Sequence, residues 1–162
     1  MTSTTYDLLG SSTLGTSASG VTFGSLPASG YGDLVLVVEG LSTSTSNLRV
    51  KFNNDSGSNY NAIRMEGNGS SGSSAYFEDN AGGLVSGATF VSSSRGLIIL
   101  TVFNYLSGDT NTGYLVRYNH ADKAGALRGE WEVSSPVNQV DFYTTGSDFA
   151  ATTTFNLYGV AK

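Results

Sequence analysis

Two segments of this chain are apolar at consecutive positions, where a half-exposed strand would alternate polar and apolar residues. They read DLVLVVE at residues 33–39 and LIILTV at residues 97–102. Neither has a helical period, so both are predicted to be β-strands that need cover on both faces. A second sheet can cover one face, and a loop or a neighbouring subunit must cover the other. The pattern therefore predicts an assembling all-β protein.

Apolar or aromatic segments of strand length recur along the chain, separated by breaks rich in glycine and serine. They lie at residues 21–23, 34–38, 48–52, 60–65, 75–77, 84–90, 97–105, 114–118, 130–133, 140–143 and 155–160. This spacing is typical of an antiparallel two-sheet sandwich, jelly-roll-like in topology. We expect the apolar last strand to be paired, because a bare edge invites aggregation.

The length of 162 residues suits one domain, so we expect a single β-sandwich over residues 1–162. Residues 1–7 are expected to form an extended amino-terminal arm, and Tyr6 is a candidate interface residue. Residues 120–127 form the one fragment compatible with a helix. It is short and interrupted by glycine, so a loop or single turn is predicted there.

Composition limits the partners that this chain can have. Charged residues make up 13%, the net charge is −5 and there are only eight lysines and arginines, which disfavours nucleic acid as a partner. The apolar runs are far shorter than the about 20 residues of a membrane helix, and the start lacks the features of a secretory signal. The chain contains no cysteine, which excludes disulfides and thiolate metal sites.

The run NNDSGSN between residues 48 and 65 predicts a hairpin, because these residue types favour turns. Pairing Phe52 with Asn61 and Val50 with Ile63 would place four apolar residues on one core-directed face. A shift by one residue would reverse every side chain, which is disfavoured when one face is buried.

In that register, Arg49, Lys51 and Arg64 would share the outer face of the hairpin. Adjacent like charges are unfavourable unless an acidic group neutralises them. If the acidic groups belong to a neighbouring subunit, the three cations are interface residues. The alternative is that acidic groups of the same subunit pair with them. The acidic candidates within the subunit are Glu130, Glu132 and Asp141.

Few residues could support catalysis. The single histidine, His120, has its nearest carboxylate at Asp122, and no G-x-S-x-G motif is present, which disfavours a serine triad. Glu130 and Glu132 are the best-spaced carboxylates for glycoside hydrolysis, about 7 Å apart on one strand face. They alternate with Trp131, an expected core anchor, and two outward glutamates on a strand are normally a solvated face. Glu130 and Glu132 are also candidate interface residues. We predict no enzymatic activity.

Metals and cofactors have little support either. The loop at residues 53–59 carries oxygen ligands at intervals that could hold calcium, but it lacks the order of a helix-flanked calcium loop. Turn formation is the favoured interpretation. No cofactor and no metal is predicted.

Two stretches carry a family resemblance. GYGDLVLVVEGLSTSTSNLRVKFNNDSGSNYNAIRM (residues 30–65) and QVDFYTTGSDFAATTTFNLYGVAK (residues 139–162) together make up about a third of the chain. They resemble segments of structural proteins of tailed bacteriophages, including phages of cyanobacteria. In such segments a DLVLV-type strand leads into an LRVKFN-x-D-x-G-x-NY hairpin, and the chain finishes on a strand that ends in LYG.

The resemblance implies a jelly-roll capsid decoration, or cement, protein on the outer surface of the virion head. It further implies a homotrimer that bridges subunits of the major capsid protein. The charge and the short apolar runs already predict neither nucleic acid nor membrane as a partner. The alternative is a receptor-binding or carbohydrate-binding module of a phage tail. That alternative would use tyrosines as stacking platforms, namely Tyr31, Tyr60, Tyr76 and Tyr114.

Overall fold

Strands make up the regular structure of the computed structural model, which describes residues 5–86, 90 and 93–162, with only the backbone of Asp79, Ser86 and His120. The strands are β1 (Tyr6–Thr13), β2 (Gly20–Phe23), β3 (Tyr31–Gly40), β4 (Asn47–Phe52), β5 (Tyr60–Gly67), β6 (Gly72–Asn80), β7 (Gly83–Ser86), β8 (Gly96–Val102), β9 (Thr112–His120), β10 (Lys123–Trp131), β11 (Val140–Thr145) and β12 (Thr154–Ala161). In these ranges no helix is long and apolar enough to cross a membrane.

The strands form two antiparallel sheets. The larger has eight strands in the order β1-β12-β3-β8-β9-β10-β5-β6, and the smaller has four in the order β2-β11-β4-β7. This confirms the predicted all-β, two-sheet sandwich of jelly-roll type. The last strand, β12, lies between β1 and β3, so it is paired on both sides as expected.

The core lies between the two sheets. Strand β3 turns Leu34, Leu36 and Val38 inward, and all three are fully buried. Aromatic rings join the layers: Phe142 of β11 lies edge-on to Phe155 of β12, with 6.0 Å between ring centroids. Alternate residues of each inner strand thus supply the apolar surface whose burial stabilises the sandwich.

Both edge strands of the larger sheet are bulged. On β1 the register shifts between Leu8 and Gly10, which leaves Leu9 without a paired residue on β12. Where β6 pairs with β5, Tyr60 is opposite Asn80 but Ala62 is opposite Phe77, so one extra residue lies on β6. A bulge bends an edge strand and interrupts its row of hydrogen-bonding groups.

The predicted hairpin between β4 and β5 is wrong. Strand β4 lies in the four-stranded sheet beside β11 and β7, whereas β5 lies in the eight-stranded sheet between β10 and β6. The turn residues 53–59 carry the chain from one sheet to the other. Asn53 and Asn54 both have positive φ, 54° and 57°, a left-handed conformation that asparagine tolerates and that redirects the chain after β4.

The predicted loop at residues 120–127 is also wrong. Strand β10 begins at Lys123 and pairs with β9, and the turn contains Ala121 at φ 45°. Its small residues have a packing reason, because a Cβ on Gly129 would lie 2.0 Å from the Tyr114 ring. Glycine there lets a tyrosine of the neighbouring strand lie across the backbone.

The expected arm of residues 1–7 is partly strand. Tyr6 and Asp7 belong to β1, where they pair with Val160 and Gly159 of β12. Residues 1–4 lie outside the described residues.

Candidate interaction surface

The outer side of the eight-stranded sheet, which we name the open face, carries many exposed apolar side chains. Because alternate residues of a strand share a face, the paired registers place them on one side. They are Tyr6, Leu8, Ile63, Met65, Tyr76, Leu97 and Leu115. Met65 is 64% exposed and Tyr76 is 60% exposed, so the larger part of each side chain faces solvent.

One row of side chains runs across all eight strands of the open face. The paired residues are Leu8, Tyr158, Val35, Thr101, Leu115, Arg128, Ile63 and Tyr76. Apart from Thr101 and Arg128, every member of this row is aliphatic or aromatic. So many exposed apolar side chains on one sheet face are unusual on a protein that stays alone in solution.

The two strands that are apolar on both sides have different environments on their two faces. Ile98 and Leu100 of β8 point inward and are fully buried by the four-stranded sheet and its loops. Val35 and Val37 of β3 point to the open face and are only half-buried, against their in-sheet neighbours. The described chain therefore covers one face of these strands and leaves the other open.

Three shallow grooves join into one depression on the open face, which we name the trough. A groove of about 380 Å³ at the β1 and β12 end includes Tyr6, Tyr158 and Val37 among its lining residues. It shares Ile99 and Arg117 with a central groove of about 500 Å³. The central groove shares Ala124 with a third, of about 480 Å³, which reaches Gly72 and Ser74 on β6.

Arg117 lies at the centre of the trough. It stands on β9, the fifth strand of the eight, between Ile99 of β8 and Ala126 of β10. Within the part of the chain that the structure describes, no acidic or hydrogen-bonding partner contacts its exposed guanidinium. Other arginines do have partners, since Arg128 pairs with Glu130 at 2.8 Å.

The outer side of the four-stranded sheet, which we name the closed face, is polar. Its charged side chains have hydrogen-bonding or aromatic partners within the chain. Arg49 donates to the Gly82 carbonyl at 3.1 Å, and the Lys51 Nζ lies 5.0 Å from the centre of the Tyr143 ring. The Asp141 carboxylate accepts a hydrogen bond from Thr22 and two from Gln139.

The predicted cluster of Arg49, Lys51 and Arg64 is wrong, because Arg64 is on the other sheet. It points to the inner side of the eight-stranded sheet, where its guanidinium lies 5.4 Å from the centre of the Phe77 ring. The crossover after β4 separates it from the other two cations. Among the described residues its buried Nε has no hydrogen-bond partner. An interface role for Arg49 and Lys51 stays a prediction.

Beside Arg64 lies a buried acid. The Glu66 carboxylate accepts a hydrogen bond from the Tyr118 hydroxyl at 2.8 Å and pairs with Lys123 at 3.2 Å. Burial would raise the pKa of this carboxyl, but the hydrogen bonds and the positive charge of Lys123 outweigh it and hold the pKa below its ordinary value. Glu66 therefore stabilises the fold in its ionised form.

Glu130 and Glu132 flank the buried Trp131, which confirms the predicted core anchor. Each carboxylate has a local partner: Glu130 accepts from Asn111 at 3.1 Å in addition to its pairing with Arg128, and Glu132 accepts from Asn61 at 2.7 Å. These contacts fix both side chains at the end of β10.

The loop at residues 53–59 uses its oxygen atoms internally, which supports the turn interpretation. The Asp55 carboxylate accepts hydrogen bonds from the Trp131 Nε1 at 2.6 Å, the Asn59 Nδ2 at 2.9 Å and the Gly57 N–H at 2.8 Å. Burial would raise the pKa of Asp55, but these donors outweigh it and lower the pKa. In the described ranges no three acidic or histidine residues are grouped to hold a metal ion.

The tyrosines proposed as stacking platforms fall into two groups. Tyr60 and Tyr114 are buried in the core, where burial raises the pKa of each hydroxyl, so neither can contact a ligand. Tyr31 is half-buried and donates to Asp7 at 3.1 Å. Only Tyr76 is exposed, on the open face.

Two features of the open face escaped the sequence analysis. Arg117 and Tyr158 both lie there. The strand of each carries apolar residues on both of its faces, so its outward face could not be recognised by polarity. In β9, TGYLVRYNH, the buried set is Tyr114, Val116 and Tyr118, while Leu115 and Arg117 point outward. Leu115, an apolar residue on the outward side of β9, was the signal in the sequence that this face needs cover. His120 ends this strand, where its backbone pairs with Lys123.

No family model and no curated protein sequence matches the chain. Solved structures show remote likeness. A galectin of Caenorhabditis elegans has 10% identity and a TM-score of 0.35, with 98% of this chain and 96% of that chain covered. A tetrameric galectin of the ball sponge Cinachyrella has 11% identity, a TM-score of 0.39 and coverage of 88% and 99%. An exo-inulinase of Aspergillus awamori has 12% identity, a TM-score of 0.38 and coverage of 96% and 29%.

Proposed function

We propose that this protein is a capsid decoration protein of a tailed bacteriophage, and that it docks on the outside of the head shell through the open face. The observation that carries the proposal is the apolar surface of that face. The resemblance of residues 30–65 and 139–162 to phage structural proteins supplies the viral context.

The size of the open face suits a specific interface. Eight strands about 4.8 Å apart, each presenting about 24 Å of length, give a surface of about 800 Å², which is what one partner contributes to a standard interface. Removing that much apolar surface from water favours association. The protein would thus stabilise a shell by binding across neighbouring capsid subunits, without turnover of a substrate.

The homotrimer implied by the resemblance belongs to the same proposal. Three copies around a threefold position would clamp several capsid subunits at once. Sedimentation equilibrium of the purified protein at micromolar concentration checks this, and a monomer mass would remove the trimer from the proposal.

A receptor-binding or carbohydrate-binding module of a phage tail is the second candidate. Tyr6, Tyr158 and Arg117 line one groove, and aromatic rings beside a hydrogen-bond donor are suited to sugar rings. We propose no enzymatic function, since the carboxylates of Glu130 and Glu132 are both held by neighbouring side chains.

Location on the particle separates the two candidates. Gold-labelled antibody against the protein, or a reconstruction of the parent particle by electron microscopy, should show the label on the head lattice. Label confined to the tail tip would overturn the decoration proposal and favour receptor binding.

A further inference from the structure

We propose that the trough on the open face binds an extended, apolar segment of a partner protein, and that an acidic side chain near the middle of that segment pairs with Arg117. The inference rests on the proposed function and deepens it, because it states the chemistry that a shell protein must present to this face.

The length of the trough fits an extended chain. Its lining residues reach from Tyr6 on β1 to Ser74 on β6, which are the two edges of the sheet. Seven strand spacings of about 4.8 Å give about 34 Å, and an extended peptide rises about 3.3 Å per residue. A segment of about ten residues would therefore cross the whole face.

The floor of the trough fits apolar side chains. Small residues, Ala124, Ala126 and Gly67, form its middle and far end, and the larger Leu97 and Met65 border it. Small residues let a chain approach closely, and the larger ones provide apolar contact on either side. A ridge of alternating aliphatic side chains would fill this shape.

Arg117 sets the charge of the occupant. An arginine without an acidic neighbour in the described chain stands at the centre of an apolar surface, where docking would remove it from water. Burial of an unpaired charge is costly, so the face favours an occupant that brings a carboxylate to that point. Arginine also pairs with carboxylates through two parallel hydrogen bonds.

A second copy of the chain fits less well. A twofold axis that pairs the whole face with itself passes near its middle, and it would bring the two Arg117 side chains together. Two acidic residues of that face are already engaged, since Glu130 pairs with Arg128 and Glu39 with Arg95. Like charges would therefore meet where a carboxylate is needed.

A glycan also fits less well over most of the trough. Sugar hydroxyls need several hydrogen-bonding groups, and the middle of the trough supplies only Arg117 and Asn119 between aliphatic residues. Tyr6 and Tyr158 lie at the β1 and β12 end, and Tyr118 of the central groove is buried with its hydroxyl donating to Glu66. The apolar middle thus favours a peptide.

The test uses two fluorescent eleven-residue peptides of alternating valine and serine, one with a central aspartate and one with a central asparagine. Fluorescence anisotropy with the full chain should show saturable binding of the aspartate peptide, at least tenfold tighter than the asparagine peptide. Arg117→Gln should weaken the aspartate peptide at least tenfold and leave the asparagine peptide unchanged.

Two further variants control the measurement. Ala126→Tyr fills the floor of the trough and should weaken both peptides, whereas Lys162→Gln removes one exposed charge outside the trough and should change neither. Circular dichroism and thermal denaturation should show that all variants are folded, so that lost binding is not lost structure.

Three results would overturn the inference: no saturable binding, equal affinity for the two peptides, or affinity that survives Arg117→Gln. A galacturonate hexasaccharide that binds through Arg117 when the peptides do not would assign the trough to a glycan. Dimerisation lost on Arg117→Gln would assign it to a second copy. Label on the head with failed peptide binding rejects only the segment, and label on the tail with successful binding rejects only the decoration role.

Discussion

The two outer faces of this sandwich differ in how completely the chain satisfies them. On the closed face, Lys51 lies over a tyrosine ring and Asp141 accepts three hydrogen bonds from neighbouring side chains. On the open face, Met65 and Tyr76 lie exposed and Arg117 has no acidic neighbour in the described chain. A face that satisfies its own groups is suited to water, and a face that does not is suited to a partner.

The comparison is sharpest on β3, where adjacent residues point to opposite sides. Leu36→Ala should lower the free energy of unfolding by about 2 to 5 kcal/mol, because it leaves a cavity between the sheets. Val37→Thr, a change of nearly equal volume on the open face, should cost less than about 1 kcal/mol. Urea denaturation measures both. A large cost for Val37→Thr in a monomer would show that the open face is already covered.

A second effect concerns the crossover that joins the two sheets. Asp55→Asn should lower the free energy of unfolding by about 2 kcal/mol at pH 7, because it removes a charged acceptor from three donors. The folded-state pKa of Asp55 lies below its ordinary value of about 3.9. Its contribution is therefore full above that value and is lost as the pH falls through the folded-state pKa.

Urea denaturation from pH 7 down to pH 2 checks this. The stability difference between the native chain and Asp55→Asn should shrink across the acid range. A difference that is constant with pH would mean that the carboxylate charge contributes nothing.

A smaller effect of the same sign is expected at Glu66, on the inner side of the eight-stranded sheet. Glu66→Gln should cost about 1 kcal/mol at neutral pH, since Tyr118 and Lys123 lose a charged acceptor. The lowered pKa of Glu66 places the loss of this contribution below its ordinary pKa of about 4.3. Thermal denaturation at pH 7 and pH 3 measures it, and an equal effect at both values would contradict the assignment.

The smallest effect is expected on the closed face. Lys51→Gln should lower the free energy of unfolding by about 0.5 kcal/mol, because it removes a partly exposed cation from the face of an aromatic ring. Thermal denaturation measures it. The comparison between the faces fails if Lys51→Glu releases the protein from particles as strongly as Arg117→Glu does.

Sequence reasoning predicted the fold class well because it depends on pattern. Short apolar segments and frequent turns indicated the sandwich. Because Trp131 lies between Glu130 and Glu132, the alternation of a strand also predicted that its side chain points inward, as it does. The first half of strand β10 was not predicted because its residues 123–126, KAGA, have low strand propensity. Its glycines are explained only by the tyrosines of β9 that pack against them.

Partner choice could not be predicted in the same way. The turn residues after Phe52 are compatible with a hairpin and with a crossover between sheets. The amino-acid sequence therefore does not determine which sheet β5 joins. The same limit applies to the open face: Ile63 and Met65 are apolar, and alternation alone assigned them to the core. They point outward because Tyr60 and Ala62 fill the core positions of β5.

The bulges on β1 and β6 have a consequence for the contacts that separate copies of the chain can make. An apolar sheet with two straight edge strands would pair edge to edge with other copies and extend into filaments. The bulges at both edges oppose such growth, which leaves the open face as the surface through which we propose that the chain meets its partner.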